Sequence, residues 1–77
     1  MTNSVSIILN GAERPLEGLV GVPTVAALVE SLGFRADRVA LERNGDIVPR
    51  TMWSETVLQA GDRIELVHFV GGGSSRS

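Results

Sequence analysis

"IELVHFVGGGSSRS", from Ile64 to Ser77, is the stretch on which the reading of this chain turns. An apolar run with strand character stops at Val70, and three glycines, Gly71, Gly72 and Gly73, follow at once. Two explanations fit a last strand that gives way to residues without side chains. One is a linker, whose composition "GGGSS" matches. The other is a tail that must pass through something narrow, since glycine has no Cβ and lets a second backbone come close.

The rest of the chain sets the bounds. Seventy-seven residues make one domain at most, with a small and single core. A composition of 43% hydrophobic and 21% charged residues suits a folded globule. Cysteine is absent, which excludes disulfides, thiolate nucleophiles and cysteine zinc sites. There is one histidine and no Asp/Glu cluster with ligand spacing, so neither a metal nor a bound cofactor is expected. The formal net charge is −2, and the seven cations are all arginines, scattered along the chain. Nucleic acid is therefore not an expected partner. The apolar stretch Val5–Leu9 is too short for a signal peptide and has no cationic leader, and no membrane-spanning run exists. The expected location is the cytoplasm.

Working back from the tail, the hydrophobic period changes twice. Val5–Leu9 is rich in β-branched residues and precedes Asn10-Gly11, the strongest short hairpin signal. A second strand is expected from Ala12 towards Val20, with Pro15 marking an edge position. Val25, Leu28, Val29 and Leu32 then fall on one stripe of a helix near Thr24–Leu32. Thr24 is its natural N-cap and Gly33 its natural C′ residue. "RVALERNGDIVPR" (Arg38–Arg50) returns to strand character and repeats the hairpin at Asn44-Gly45. A helical turn is expected near Trp53–Thr56, a turn at Gly61-Asp62, and a last strand over Arg63–Val70. The order is β-β-α-β-β-β. One helix can bury its stripe only on one face of a sheet, which makes a two-layer α+β domain. The first and last strands carry bulky residues on consecutive positions, as central strands do. Placed side by side with a hairpin on each flank, they make a mixed β-grasp sheet of about five strands. The domain covers residues 1–70, and 71–77 form the tail.

"ALERNGDIVPR", the lone Trp53, "LQAGDRIELVHFVGGG" and the early "LNG" together resemble the sulfur carrier proteins of thiamine (thiazole) biosynthesis, the ThiS family. The similarity runs from about Ser6 to Gly73. It implies a ubiquitin-like β-grasp domain whose C-terminal glycine, here Gly73, carries an adenylate and then a thiocarboxylate. It also implies two partners: an E1-like, ThiF-type adenylyltransferase that consumes ATP, and a ThiG-type thiazole synthase that takes the sulfur. The related small subunit of molybdopterin synthase shares the fold and the glycine tail, and a purely non-covalent ubiquitin-like interaction module is the third reading. Family chains commonly stop at the glycine pair, whereas this sequence continues with "SSRS", residues 74–77. Either a protease cuts after Gly73, or the four residues are a remnant of how the chain was made, or the domain stays inactive until cut.

The side chains near the tail divide by strand parity. Ile64, Leu66 and His68 share one face of the last strand, and Val67 and Phe69 share the other. If the helix covers Ile64 and Leu66, then Val67, Phe69 and Val70 are left as a partner-docking surface, or as ordinary sheet packing. His68 has no titratable partner placed by sequence and is expected to be structural or a contact residue. Trp53 reads as a plug at the sheet edge, Arg43 and Arg50 as solvated or partner-facing cations, and Asp46 and Asp62 as turn residues. No Ser/His/Asp or paired-carboxylate arrangement emerges, so the chain is not expected to be a catalyst by itself.

Overall fold

Each Asn-Gly pair reverses the chain in a tight turn. Asn10, Gly11, Asn44 and Gly45 have φ of 50°, 86°, 55° and 91°. Two consecutive positive φ values are the signature of the type I′ hairpin, which matches the right-handed twist of the strands it joins. The computed structural model describes residues 5–16 and 23–69. Its strands are β1 (Ser6–Leu9), β2 (Ala12–Pro15), β3 (Val39–Arg43), β4 (Asp46–Ile47) and β5 (Arg63–His68). The helix α1 is Val25–Ser31, and short 3-10 helices cover Ala36–Arg38 and Arg50–Glu55. Only the first of these two was absent from the sequence reading.

The five strands form one sheet in the order β2-β1-β5-β3-β4. β1 and β5 run parallel in the middle, with Ile8 beside Arg63 and Leu9 beside Ile64. The two hairpins flank them antiparallel, as expected of a β-grasp. β5 is shorter than the Arg63–Val70 expected, ending at His68, and the expected run of the second strand beyond Leu16 lies outside the described residues.

The ladder phase of β5 follows from two bonds. Phe69 N donates to Arg38 O at 2.8 Å, and Asn44 N donates to Arg63 O at 2.7 Å. In an antiparallel pair the hydrogen-bonded positions alternate. The odd-numbered residues of β5 therefore bond towards β3, and the even-numbered ones turn their N–H and C=O towards β1. Accordingly, Asn10 N donates to Ile64 O at 2.8 Å on the β1 side.

Helix α1 is only seven residues long, too short to persist alone, so its ends and its buried stripe hold it. The Thr24 hydroxyl accepts from Ala27 N at 3.1 Å, and Gly33 follows with φ 82°. Val25, Leu28 and Val29 are buried, and Leu32 packs half-buried against the same cluster. They meet Ile7, Val39, Leu41, Ile64 and Leu66 from one face of the sheet. Trp53 and Leu58, from the connection between β4 and β5, close the side of this core. The Trp53 indole N–H donates to Val48 O at 2.8 Å, so its one polar atom is satisfied where the ring is buried. Leu28 has no exposed surface at all. Leu28→Ala should lower unfolding stability by about 2–4 kcal/mol, read by chemical denaturation; a loss near zero would mean that α1 does not seat on the sheet.

Candidate functional site

The end of β5 is where any chemistry of the tail begins, so what holds that strand matters first. β5 is gripped by the tips of both hairpins. The side chain of Asn10, already bent to positive φ, reaches across to β5: its amide nitrogen donates to Leu66 O at 3.2 Å and its oxygen accepts from Leu66 N at 2.8 Å. The carboxamide thus copies one peptide unit of a neighbouring strand where β1 has turned away. On the other edge, the Asn44 side-chain oxygen accepts from Arg63 N at 2.9 Å, at the start of β5.

The second grip is Asp62. Its residue surface is 7% exposed, and it is the buried charge among the described residues. One carboxylate oxygen accepts from Arg43 Nε at 2.9 Å and from Gln59 N at 2.8 Å; the other accepts from Asn44 Nδ2 at 3.1 Å. Burial on its own raises the Asp62 carboxyl. The hydrogen bonds from Gln59, Arg43 and Asn44, with the charge of Arg43, outweigh burial and hold it below the ordinary aspartate range. Arg43 is therefore not a solvated or partner-facing cation: β3 carries it on the same face as Leu41, within reach of the turn before β5. Arg50 does remain at the surface, donating to Ala36 O at 3.5 Å. Asp62 does more than belong to a turn, since it ties the β3–β4 hairpin to the root of β5.

Beyond these grips the two faces of β5 differ as parity requires. Ile64 and Leu66 are buried under α1, while Val67 and Phe69 are 57% and 53% exposed on the opposite face. Ala40 lies directly beside Val67, and Glu42 directly beside Glu65. Ile47, opposite Glu42 on the edge strand, is 71% exposed. The uncovered face is thus apolar near the end of β5 and acidic in its middle, where two carboxylates face each other across neighbouring strands. Such facing like charges cost stability. The ion pairs among the described residues, Arg35–Asp37 and Arg43–Asp62, involve neither of them. His68, on the α1 side, stacks on Phe34 with ring centroids 4.9 Å apart and planes tilted by 32°. It makes a packing contact and has no acid or base beside it in the hydrogen-bond network of the described residues.

Val67 and Phe69 are brought together by the fold. Val70, Gly71, Gly72 and Gly73, the remaining sequence-predicted site residues, lie outside the described residues. Among the described residues no group of three His, Asp or Glu side chains could hold a metal ion, and no helix is long and apolar enough to cross a membrane.

Comparison with known proteins agrees with this geometry. A model of the ThiS family matches residues 7–73. The sulfur carrier protein ThiS of Escherichia coli is 42% identical over 50 residues, covering 65% of this chain and 76% of that one. A thiazole synthase of Magnetococcus marinus is 48% identical over 69 residues, which cover 90% of this chain and 20% of the synthase. The chain spans about a fifth of the length of the thiazole synthases that it matches. Among solved structures, the crystal structure of a thiamine biosynthesis protein (ThiS) from Geobacter metallireducens superposes with a TM-score of 0.73 at 28% identity, covering 90% of this chain and all of that one.

The Asp62 grip predicts the acid limb of stability. A carboxyl whose pKa is depressed by folding stabilises above the ordinary aspartate range, and the contribution is lost as pH falls through the folded value. Melting temperature should fall as pH drops below about 4, the unfolded aspartate value, and Asp62→Asn should flatten that fall. Asp62→Ala should cost about 2–3 kcal/mol at neutral pH, because it leaves Arg43, Asn44 and Gln59 N without their acceptor. An acid limb identical in wild type and Asp62→Asn would show that the carboxylate does not hold the root of β5.

Proposed function

The chain belongs to the ThiS family, and from that premise we propose that it carries sulfur as a C-terminal thiocarboxylate on Gly73 for thiazole formation in thiamine biosynthesis. What supports the reading is the position of the glycine run. It follows the central strand of the sheet, the strand gripped on both sides, and not an edge strand or a surface loop. Such a root holds the tail's starting point fixed while the glycines leave its path thin.

The chemistry accounts for both properties. A carboxylate is a poor acyl donor, because its charge repels nucleophiles and oxide does not leave. Attack of the Gly73 carboxylate on the α-phosphorus of ATP expels pyrophosphate and gives an acyl adenylate. Hydrosulfide, or its equivalent, then adds to the carbonyl and expels AMP, exchanging a C–O bond for a C–S bond and losing its proton. The resulting thiocarboxylate is the nucleophile that an acceptor enzyme uses. The ATP and the catalytic groups belong to the E1-like, ThiF-type activating enzyme; this chain contributes the carbonyl and holds no cofactor. Two enzymes must admit the same tail, and glycine at 71–73 lets their walls close on the backbone. The exposed Val67 and Phe69 supply a docking surface near the end of β5, and the ThiG-type thiazole synthase is the acceptor. That a matching segment makes up about a fifth of two proteins named thiazole synthase supports this choice of acceptor.

In this sequence the Gly73 carbonyl is joined to Ser74 by a peptide bond, and an amide cannot be adenylated. A chain ending at Gly73, incubated with ATP, the activating enzyme and a sulfur source, should gain the mass of one oxygen replaced by sulfur. The chain carrying residues 74–77 should stay unchanged until it is cut. Sulfur on the uncut chain would show that Gly73 is not the reactive terminus. Gly72→Val in the chain ending at Gly73 should fold normally yet be adenylated far more slowly, because the clash arises only inside the enzyme's channel. An unaltered adenylation rate would overturn the thin-tail argument, and a tail-deleted chain that kept full function would make it a binding module.

A further inference from the structure

On the β3 side the ladder of β5 runs unbroken from Ile64 to His68, and Phe69 N bonds to Arg38 O just beyond it. On the β1 side the paired positions are Ile8 with Arg63 and Leu9 with Ile64. That register puts Asn10 beside Glu65, and Asn10 N duly donates to Ile64 O at 2.8 Å. In a parallel ladder the same residue would offer its own carbonyl to Leu66 N. At Asn10 the chain is already turning, with φ 50°, and the side-chain oxygen takes that place, accepting from Leu66 N at 2.8 Å. The side-chain nitrogen donates to Leu66 O at 3.2 Å. One turn residue thus holds β5 by its backbone and by both ends of its carboxamide. The residue it holds matters: Leu66 is the last buried position of β5, and the exposed Val67 and Phe69 come directly after it.

We propose that Asn10 is a positioning residue for recognition of the carrier: its carboxamide fixes Leu66 and so presents Val67 and Phe69 to the activating enzyme in one orientation. The inference rests on the carrier reading above. A strand bonded along one side can still twist about that ladder, and the bonds from Asn10 to Leu66 hold it from the other side as well. An enzyme that meets a surface already in place need not order it, whereas a loose surface costs affinity when it is ordered on binding. The role falls on recognition and not on bond-making, because the atoms that the Asn10 carboxamide holds belong to β5 itself. The turn alone does not ask for this side chain, since Gly-Gly and Asp-Gly make the same type I′ turn. Glycine has no carboxamide, and an ionised aspartate can accept from Leu66 N but has no hydrogen to give to Leu66 O. Turn and grip can therefore be separated by substitution.

The test uses the chain ending at Gly73, a ThiF-type activating enzyme and ATP, at a temperature where every variant is folded. Amide exchange in the free chains reads the grip. Asn10→Gly should lose about tenfold in protection at Leu66 relative to Val67, whose N–H bonds towards β3, as expected for one hydrogen bond. Adenylation kinetics read the role. Asn10→Gly should raise the KM for the carrier about tenfold and leave kcat within about twofold, the pattern of lost binding rather than lost chemistry. Asn10→Asp, which keeps the turn and one of the two carboxamide bonds, should fall between Asn10→Gly and wild type. Val29→Ala truncates the buried face of α1 and should lower overall stability while leaving the Leu66-to-Val67 ratio and the KM at wild-type values. A wild-type KM in Asn10→Gly, or a Leu66 amide as well protected as in wild type, overturns the positioning role and leaves the carrier reading standing. A KM raised equally in Val29→Ala also overturns it, since stability alone would then account for the effect. A wild-type chain ending at Gly73 that is never adenylated overturns the carrier reading, and this inference falls with it.

Discussion

Everything in this fold converges on keeping β5 in place from both sides. A central strand normally gets this from its neighbours' backbones, but both neighbours here are short: β1 ends at Leu9, and β3 turns at Asn44. The two asparagines that make the turns also supply the missing rungs. Each sits at positive φ, a conformation that asparagine tolerates better than most residues, and each points its carboxamide at β5 rather than at water. A glycine in either place would make the same turn and lose the grip. Asp62 completes the arrangement, since a single carboxylate gathers the β3 end, the β3–β4 turn and the turn before β5. A domain with so small a core has few apolar contacts to spare, and these directed bonds fix the strand register where hydrophobic packing alone would permit sliding.

This explains which parts were legible in the sequence. Local signals with a single meaning were read correctly: two Asn-Gly turns, the Thr24 cap, Gly33 after the helix, the apolar stripe at Val25, Leu28 and Val29, and the two apolar strands that had to be central. Parity along β5 separated Ile64 and Leu66 from Val67 and Phe69 without error. Second roles were not legible. Asn10 and Leu66 are 56 positions apart, and nothing local to Asn10 distinguishes a turn asparagine from one that also caps a strand. Arg43 read as one more solvated cation, because its partner Asp62 lies 19 positions away in a stretch that looks like an ordinary turn. The signal available was weak: a charged residue on the core-facing parity of a strand, at Arg43, needs a buried counter-charge somewhere.

The acidic pair Glu42 and Glu65 follows a different logic. Nothing in the fold requires two carboxylates to face each other in the middle of the exposed face, and stability argues against it. The apolar end of the same face, at Val67, Phe69 and Ala40, is the docking surface proposed above. Repulsion between the two carboxylates is felt in the free domain. A covering surface that carried cations would remove it. Uncovered, the same charges keep this face from associating with copies of itself, since identical acidic surfaces repel.

Rigid root and thin tail together set a limit on any active site that uses the chain. Phe69 is held to Arg38 by its backbone, so it cannot follow the tail into a channel. Gly73 lies four positions further along the chain, and a fully extended chain advances at most about 3.3–3.6 Å per residue. If Gly73 carries the reacting carbonyl, as proposed, that atom reaches no more than about 14 Å from Phe69. Docking and reach are therefore coupled. An enzyme that seats the exposed face loosely leaves the carbonyl short of its nucleotide or its acceptor, and one that seats it closely delivers the carbonyl with little further search. On the carrier reading proposed above, residues after Gly73 would need room beyond the reacting atom, and Arg76 would bring a charge there. On the same proposed reading the length of the tail is critical, and the bond between Gly73 and Ser74 would decide whether this domain can act.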